Sequence, residues 1–126
     1  MPPVEPHAAD VQYRPAIGDC FDVRKDQSEL REALVPCDVP HDDETYHQFE
    51  LPDGLYPGGD TLHAEALAGC LDRFADFIGV SFDASELEVT TYHAGPDAWA
   101  AGDRVVSCSV WDTDDAVVGT LRGAAY

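Results

Sequence analysis

The sequence predicts an α+β domain in which one main helix packs on a mostly antiparallel sheet, cross-linked by two disulfides. Three features support this: an amphipathic segment with helical spacing, several short segments of alternating polarity, and four cysteines in a chain of 126 residues. A chain of this length forms one domain, which we place at residues 16–126. Residues 1–15 carry four prolines and predict a flexible arm or linker.

The first half of the domain predicts short strands between loops. A first strand is expected at 16–23, and a short apolar run follows at 33–37, after a charged stretch. Residues 44–51 alternate in polarity, which is typical of a half-buried strand. The alternation places Thr45, His47, Phe49 and Leu51 on one face and Glu44, Tyr46, Gln48 and Glu50 on the other.

The main helix is predicted at residues 60–78. Asp60 is a suitable N-cap, and Gly79 supplies a C-terminal stop. One face carries an apolar stripe at helical spacing, formed by Leu62, Ala66, Leu67, Cys70, Leu71, Phe74 and Ile78.

The second half predicts two strands and a closing hairpin. Strands are expected at 87–92 and 104–111, and residues 116–122 are expected to pair back after a polar turn. Between the strands, 96–102 predicts one helical turn with proline at its start and Trp99 inside.

The cysteine positions favour one disulfide pairing among three. Cys70 lies on the apolar stripe of the helix and Cys108 on the apolar face of its strand, so packing of helix on sheet brings them together. Cys20 and Cys37 then pair with each other. Four cysteines allow three connectivities, and buried thiols at Cys70 and Cys108 are the alternative.

The charge of the chain excludes some partners. There are 25 Asp and Glu against 7 Lys and Arg, a net charge of −18. Such a surface repels nucleic acids and anionic lipid head groups, and no stretch is long and apolar enough to insert in a membrane. We therefore expect a protein or cell-wall partner, no nucleic acid, and no cofactor. Whether the acidity serves function or adaptation stays open.

No signal peptide is visible at the N-terminus, and two explanations stay open. Either a signal or anchor preceded this sequence, or the chain is a complete cytosolic acidic protein with four free thiols. The cysteine placement favours the first explanation.

Several short motifs resemble the septum formation domain family of envelope proteins from high-GC Gram-positive bacteria. The resemblance covers roughly residues 16–123, and its combined spacing is fairly specific. Its motifs are Gly18-Asp19-Cys20-Phe21, Val35-Pro36-Cys37-Asp38-x-Pro40-His41-x-x-Glu44, Tyr56-Pro57-Gly58, Cys70, Trp99-x-x-Gly102-Asp103-Arg104-x-x-x-Cys108 and Gly119-x-Leu121-Arg122-Gly123.

The resemblance implies an extracytoplasmic domain, tethered by an N-terminal helix or lipid anchor and linked to septum formation. It brings no catalytic residues, and neither a nucleophile elbow nor a phosphate-binding loop occurs in the sequence. We therefore predict a non-enzymatic binding or assembly module at the bacterial cell envelope.

The strongest candidate cluster is polar and comprises His41, Glu44, Asp103 and Arg104. We expect His41 and Glu44 to fix a turn and to pair with a cation such as Arg104, which forms a bidentate carboxylate pair. The alternative function is a metal-dependent hydrolase using His41, Glu44 and His47. The spacing disfavours it, because zinc-binding histidines usually lie one helical turn apart.

Two tryptophans have different predicted roles. Trp99 is expected to plug the core. Trp111 lies on the opposite face of its strand from Cys108, so it is a candidate contact for a partner.

Overall fold

The computed structural model describes residues 14–22, 34–114 and 116–126. The charged stretch and most of the predicted arm lie outside these residues. The strands are β1 (Cys20–Phe21), β2 (Leu34–Val35), β3 (Asp43–Glu50), β4 (Leu87–Tyr92) and β5 (Val105–Asp112). The helices are α1 (Gly59–Asp72), α2 (Phe74–Ile78) and α3 (Pro96–Ala100), with a 3₁₀ turn at Phe82–Ala84.

The five strands form one antiparallel sheet in the order β2-β1-β3-β5-β4. β1 and β4 are separated by two strands, which in a flat sheet would put their backbones about 14 Å apart. Nevertheless the Phe21 and Tyr92 rings meet edge to face, with centroids 5.9 Å apart. The sheet is therefore strongly curled, as a half-barrel, and the predicted α+β class is confirmed.

The main core lies between the helices and one face of the sheet. β5 contributes Val106, Cys108 and Val110, all fully buried. Their partners on the helices are Ala66, Cys70, Phe74, Phe77 and Ile78. The amphipathic stripe in the sequence therefore identified the helical side of this core, because helix and strand periodicities select which side chains leave water.

The predicted helix is bent and begins differently from the prediction. It is broken at Arg73 into α1 and α2. Asp60 lies in the first turn and makes no capping hydrogen bond, since the N-cap residue is Gly58 with φ of 99°. The predicted stop is confirmed: Gly79 has the left-handed φ of 104°, which glycine adopts without a Cβ clash.

A β-bulge in β3 makes part of the predicted alternation wrong. Thr45 pairs with Ser109 and His47 with Cys108, so Tyr46 is an extra residue between them. Tyr46 is buried in the helix-side core, and its hydroxyl donates to the Cys70 carbonyl at 2.6 Å. The bulge puts Tyr46 and Phe49 on the same face and Gln48 on the other, against the strict period of two.

The other face of the sheet is covered in part by residues 14–19. Ser107 and Gln48 both donate side-chain hydrogen bonds to the Pro15 carbonyl, at 2.6 and 3.0 Å. The Thr45 main chain pairs with Gly18 and Asp19 at 2.9 and 2.8 Å. Residues 14–19 are therefore an integral layer of the domain. Of the strand predicted at 16–23, only Cys20 and Phe21 are in strand conformation among the described residues.

The C-terminal segment does not form the predicted hairpin with β5. Val117 instead makes a two-way bridge with His41, at 2.8 and 2.9 Å, and Gly119 donates to the Cys37 carbonyl at 2.7 Å. Leu121 is buried at 3% exposure in the main core. After β5 the chain therefore crosses to the segment between β2 and β3, where it contacts Cys37 and His41 and covers one end of the main core with Leu121.

Both favoured disulfides are present. Cys20–Cys37 joins β1 to the turn after β2, and Cys70–Cys108 joins α1 to β5 inside the core. The four cysteines are all paired. The alternative of a protein with four free thiols is therefore not what the structure shows.

Candidate functional site

The predicted polar cluster is not a single cluster in the structure. Glu44 pairs with Val110 in the β3–β5 ladder, whereas Glu50 pairs with Val105 at its other end. Six residues of strand separate the two positions by about 20 Å. His41 and Glu44 therefore lie at one end of the sheet and Asp103 and Arg104 at the other, and the expected pairing of Glu44 with Arg104 is wrong.

Glu44 holds the C-terminal segment instead of a cation. Its side chain is buried at 4% exposure. One carboxylate oxygen accepts the Leu121 amide at 2.7 Å, and the other accepts the Thr120 hydroxyl at 2.6 Å. Because both oxygens are engaged by the chain itself, Glu44 is poorly suited to ligate a metal or to move a proton.

The two histidines of the hydrolase alternative do not join Glu44 in a metal centre. His41 is fully buried, and its Nδ1 donates to the Val39 carbonyl at 2.8 Å. His47 lies on the helix side, stacked on Phe49 with centroids 5.6 Å apart. Across residues 14–22, 34–114 and 116–126, no three His, Cys, Asp or Glu side chains are grouped so that they could hold a metal ion. Within these ranges, therefore, His41, Glu44 and His47 do not form the centre of a metal-dependent hydrolase.

Asp103 anchors the N-terminal layer. One of its carboxylate oxygens binds the Arg14 guanidinium at 2.7 Å, and the other accepts the Val105 amide at 3.1 Å. The two side chains are 8% and 13% exposed. Burial lowers the pKa of Arg14, and the Asp103 charge opposes that shift. This ion pair ties the start of β5 to the segment that covers the sheet.

Arg104, the next residue, contacts Trp99 and the loop that contains Asp53. Its guanidinium lies 3.7 Å from the Trp99 ring centroid and donates to the Trp99 carbonyl at 2.7 Å. It also donates to one Asp53 carboxylate oxygen at 2.8 Å. The expected carboxylate partner therefore exists, but the contact uses one oxygen and is not bidentate.

Trp99 also contacts the loop that contains Asp53, through Gly54 and Tyr56. Its indole N–H donates to the Gly54 carbonyl at 2.9 Å, and its ring meets Tyr56 edge to face, with centroids 5.9 Å apart. Trp99 itself is buried with Leu62, Ala94 and Ala98 in a small second core. The prediction of Trp99 as a core plug is confirmed, and the structure adds its contact with the loop.

We call residues 52–58 the Leu55 loop. Leu55 is 95% exposed, the most exposed of the large apolar side chains in the described ranges. The residues on either side of it, Gly54 and Tyr56, are the ones that Trp99 contacts. An exposed leucine on a surface is ordinary in itself. Here, however, an aromatic ring and a guanidinium hold the backbone that presents it.

Sequence reasoning missed Leu55. The motif Tyr56-Pro57-Gly58 entered the sequence analysis only as a family feature, and Asp103 and Arg104 were placed in a different cluster. A usable signal was present: Leu55 is the one aliphatic residue besides the two prolines in a loop that also contains two glycines. That pattern does not reveal that Trp99 and Arg104, far along the chain, hold the loop.

Trp111 is half-buried on the far face of β5. Its indole N–H donates to the Thr90 hydroxyl at 2.9 Å across the β4–β5 pair. One polar edge of the ring is therefore already satisfied by the fold. Its role as a partner contact stays a prediction.

The fold and the site together define a small, disulfide-linked α+β domain that presents a rigidly held loop. The chain belongs to the Septum formation family, which it matches over residues 5–118. No curated protein and no solved structure is detectably similar to it.

Proposed function

We propose that this protein is a non-enzymatic, extracytoplasmic binding or assembly module of the bacterial cell envelope, and that it acts in septum formation through the Leu55 loop. The family match supports the link to the septum. The two disulfides support an oxidising compartment, because disulfides persist there and are rare in the cytosol. In the described ranges, no helix has the length and apolar character required to cross a membrane.

The observation that carries the proposal is the preorganised exposure of Leu55. A flexible loop loses conformational freedom on binding, and that loss weakens affinity. The Leu55 loop is already held at Asp53, Gly54 and Tyr56 by contacts with Trp99 and Arg104. A leucine presented in this way can enter an apolar pocket of a partner with little further ordering of its backbone.

The surroundings of the loop indicate the character of the partner. Asp53 is 93% exposed beside Leu55, and Asp60 and Asp97 at the starts of α1 and α3 are exposed as well. In a chain with a net charge of −18, these carboxylates favour a partner whose apolar pocket has a basic rim. A protein or a cell-wall component that carries amino groups would meet this requirement.

The test is the position of the protein in dividing cells. A fluorescent fusion, exported in the bacterium that encodes this chain, is expected to concentrate at division septa. Leu55→Ser is expected to abolish that enrichment, whereas Val118→Ser is the matched control. Val118 is also an exposed apolar residue, at 63%, but it follows the His41–Val117 bridge and lies away from the loop.

Two results would contradict the proposal at different points. A wild-type fusion spread evenly around the envelope would remove the septal role. Septal enrichment that survives Leu55→Ser would keep that role and exclude the Leu55 loop as its basis. Cell extracts should contain equal amounts of each disulfide-bonded fusion, so that loss of folding is not mistaken for loss of binding.

A further inference from the structure

Two histidines outside the Leu55 loop lie next to each other on the surface. His63 is in the first half of α1, and His93 directly follows β4. Their ring centroids are 5.8 Å apart, and the rings are inclined by 53°. His63 is exposed and His93 is half-buried, so solvent reaches the pair. Neither residue belongs to the cluster that the sequence singled out.

The Nδ1 atom of each ring in this pair has a hydrogen-bond partner within the protein. Nδ1 of His93 donates to the Ala94 carbonyl at 3.1 Å. A carbonyl can only accept, so in the neutral ring Nε2 carries the free lone pair. Nδ1 of His63 lies 3.3 Å from the Thr91 hydroxyl, which can accept its proton in the same way. Histidine ligands usually have the second nitrogen held by such a partner.

The two Nε2 atoms remain available. Neither has a hydrogen-bond partner in the part of the chain that the structure describes. Two imidazoles that bind one ion through nitrogens at about 2.0–2.1 Å have ring centroids about 5 Å apart. The observed centroid separation of 5.8 Å is close to this value.

We propose that His63 and His93 form a binding site for one divalent transition-metal ion, with Cu²⁺ bound more tightly than Zn²⁺. Imidazole suits both ions, and the order follows the general preference of nitrogen ligands. No third His, Cys, Asp or Glu of the described ranges completes a group of three. Water fills the remaining positions of the ion, which leaves it open to a ligand from a partner. The net charge of −18 raises the local concentration of cations.

The site would have a structural consequence close to the small core. Leu62 precedes His63, Ala94 follows His93, and both pack with Trp99 in that core. An ion bound by both histidines would tie α1 to the turn before α3, which carries Trp99.

The test is titration of the purified, disulfide-bonded chain with CuCl₂ and ZnCl₂ by calorimetry. The buffer contains excess Mg²⁺, which prefers oxygen ligands and so competes with Cu²⁺ and Zn²⁺ for the surface carboxylates but not for the histidines. All variants carry His7→Ala, which removes the histidine outside the described residues. We expect one ion per chain, and at least about tenfold weaker binding for His63→Ala and for His93→Ala. Electron paramagnetic resonance of the Cu²⁺ complex should show two imidazole nitrogens.

His47→Ala is the matched control, because His47 lies near Arg73 and Asp72 at the other end of α1. It should bind Cu²⁺ as the parent protein does. Equal binding by the His63→Ala/His93→Ala variant and the parent would overturn the proposal. An equal loss in His47→Ala would also overturn it, since it would show adventitious binding to any surface histidine.

Discussion

Arg104 stacks on Trp99 with its guanidinium carbon 3.7 Å from the ring centroid, and both residues reach the same loop from there. Trp99 bonds to Gly54, and Arg104 bonds to Asp53, which is 51 residues away along the chain. The Arg104 side chain is 15% exposed, whereas Asp53 is 93% exposed. The stacked contact is therefore shielded from water, and the ion pair is not.

This difference predicts unequal effects of Arg104→Lys and Asp53→Ala. A lysine keeps the charge but loses the planar stack and the donors to Trp99, so the free energy of unfolding should fall by about 1–2 kcal/mol. Asp53→Ala should change it by less than about 1 kcal/mol, because exposed ion pairs contribute little. Urea denaturation of both variants measures the difference. A larger loss for Asp53→Ala would mean that the ion pair holds the loop.

Glu44 is expected to contribute to stability through its acceptors. Glu44→Ala leaves the buried Leu121 amide without a partner and should lower the free energy of unfolding by about 1–3 kcal/mol. Glu44→Gln keeps one carbonyl acceptor for Leu121 and an amide that can donate to the Thr120 hydroxyl, so it should cost less. Equal losses in thermal unfolding would show that the negative charge, and not the hydrogen bonds, matters at this position.

The two disulfides should differ in their effect on stability. Cys70–Cys108 closes a separation of 38 residues and Cys20–Cys37 one of 17. By loop-closure entropy, paired replacement by alanine should cost about 4 kcal/mol for the first and about 3 kcal/mol for the second. The first pair also lies in the core, which adds to its cost. Guanidinium denaturation of the two double variants tests this order, and the reverse order would contradict the entropic account.

The lowered pKa of His47 should make the folded protein less stable as the pH falls below neutral. Burial and the nearby Arg73 charge lower the pKa of His47, and Asp72 only partly opposes them. The unfolded chain then binds a proton more readily than the folded one, so stability falls as the pH drops below the ordinary histidine value of about 6.5. His47→Gln should flatten this part of the stability profile between pH 7 and pH 5. An unchanged slope would assign the dependence to other groups.

Gly69→Ala should destabilise the protein, although alanine favours helices. A Cβ at Gly69 would clash with the tip of the Phe49 ring, which packs on α1. Overpacking of this kind costs about 1–3 kcal/mol, more than the helix-propensity gain. The additional change Phe49→Leu should recover part of the loss in the melting temperature. A stabilised Gly69→Ala variant would show that the ring moves aside freely.

Much of the architecture could be predicted because it depends on local periodicity. Five of the seven residues of the predicted stripe lie in the two cores, whereas Leu67 and Leu71 are only half-buried. The alternation around Cys108 identified the strand face that meets the helices. Placing Cys70 and Cys108 on these two surfaces was enough to predict their disulfide. Periodicity carries this information since a side chain's direction follows from its position in a helix or a strand.

The candidate site could be predicted only in part. The sequence pointed to Arg104 and Trp99 but not to their joint contact with the Leu55 loop. That contact pairs Trp99 with Gly54 and Arg104 with Asp53, and the two residues of these pairs are 45 and 51 positions apart in the chain. Glu44 was identified too, yet its partners proved to be Thr120 and Leu121. The hydrogen-bond partner of such a polar side chain depends on which distant chain segment packs beside it. The periodicity of a single sequence contains no information about which segment that will be.

The sequence by itself determined the α+β class and the main helix and favoured the two cysteine pairs, because each follows from short-range patterns of burial; the structure then showed both disulfides. Only the tertiary structure decided the bulge at Tyr46, the return of the C-terminal segment to Glu44, and the exposure of Leu55 on a loop held by Trp99 and Arg104. These features arise from packing and hydrogen bonding between segments distant in the chain, where the need to satisfy buried polar groups selects the partner.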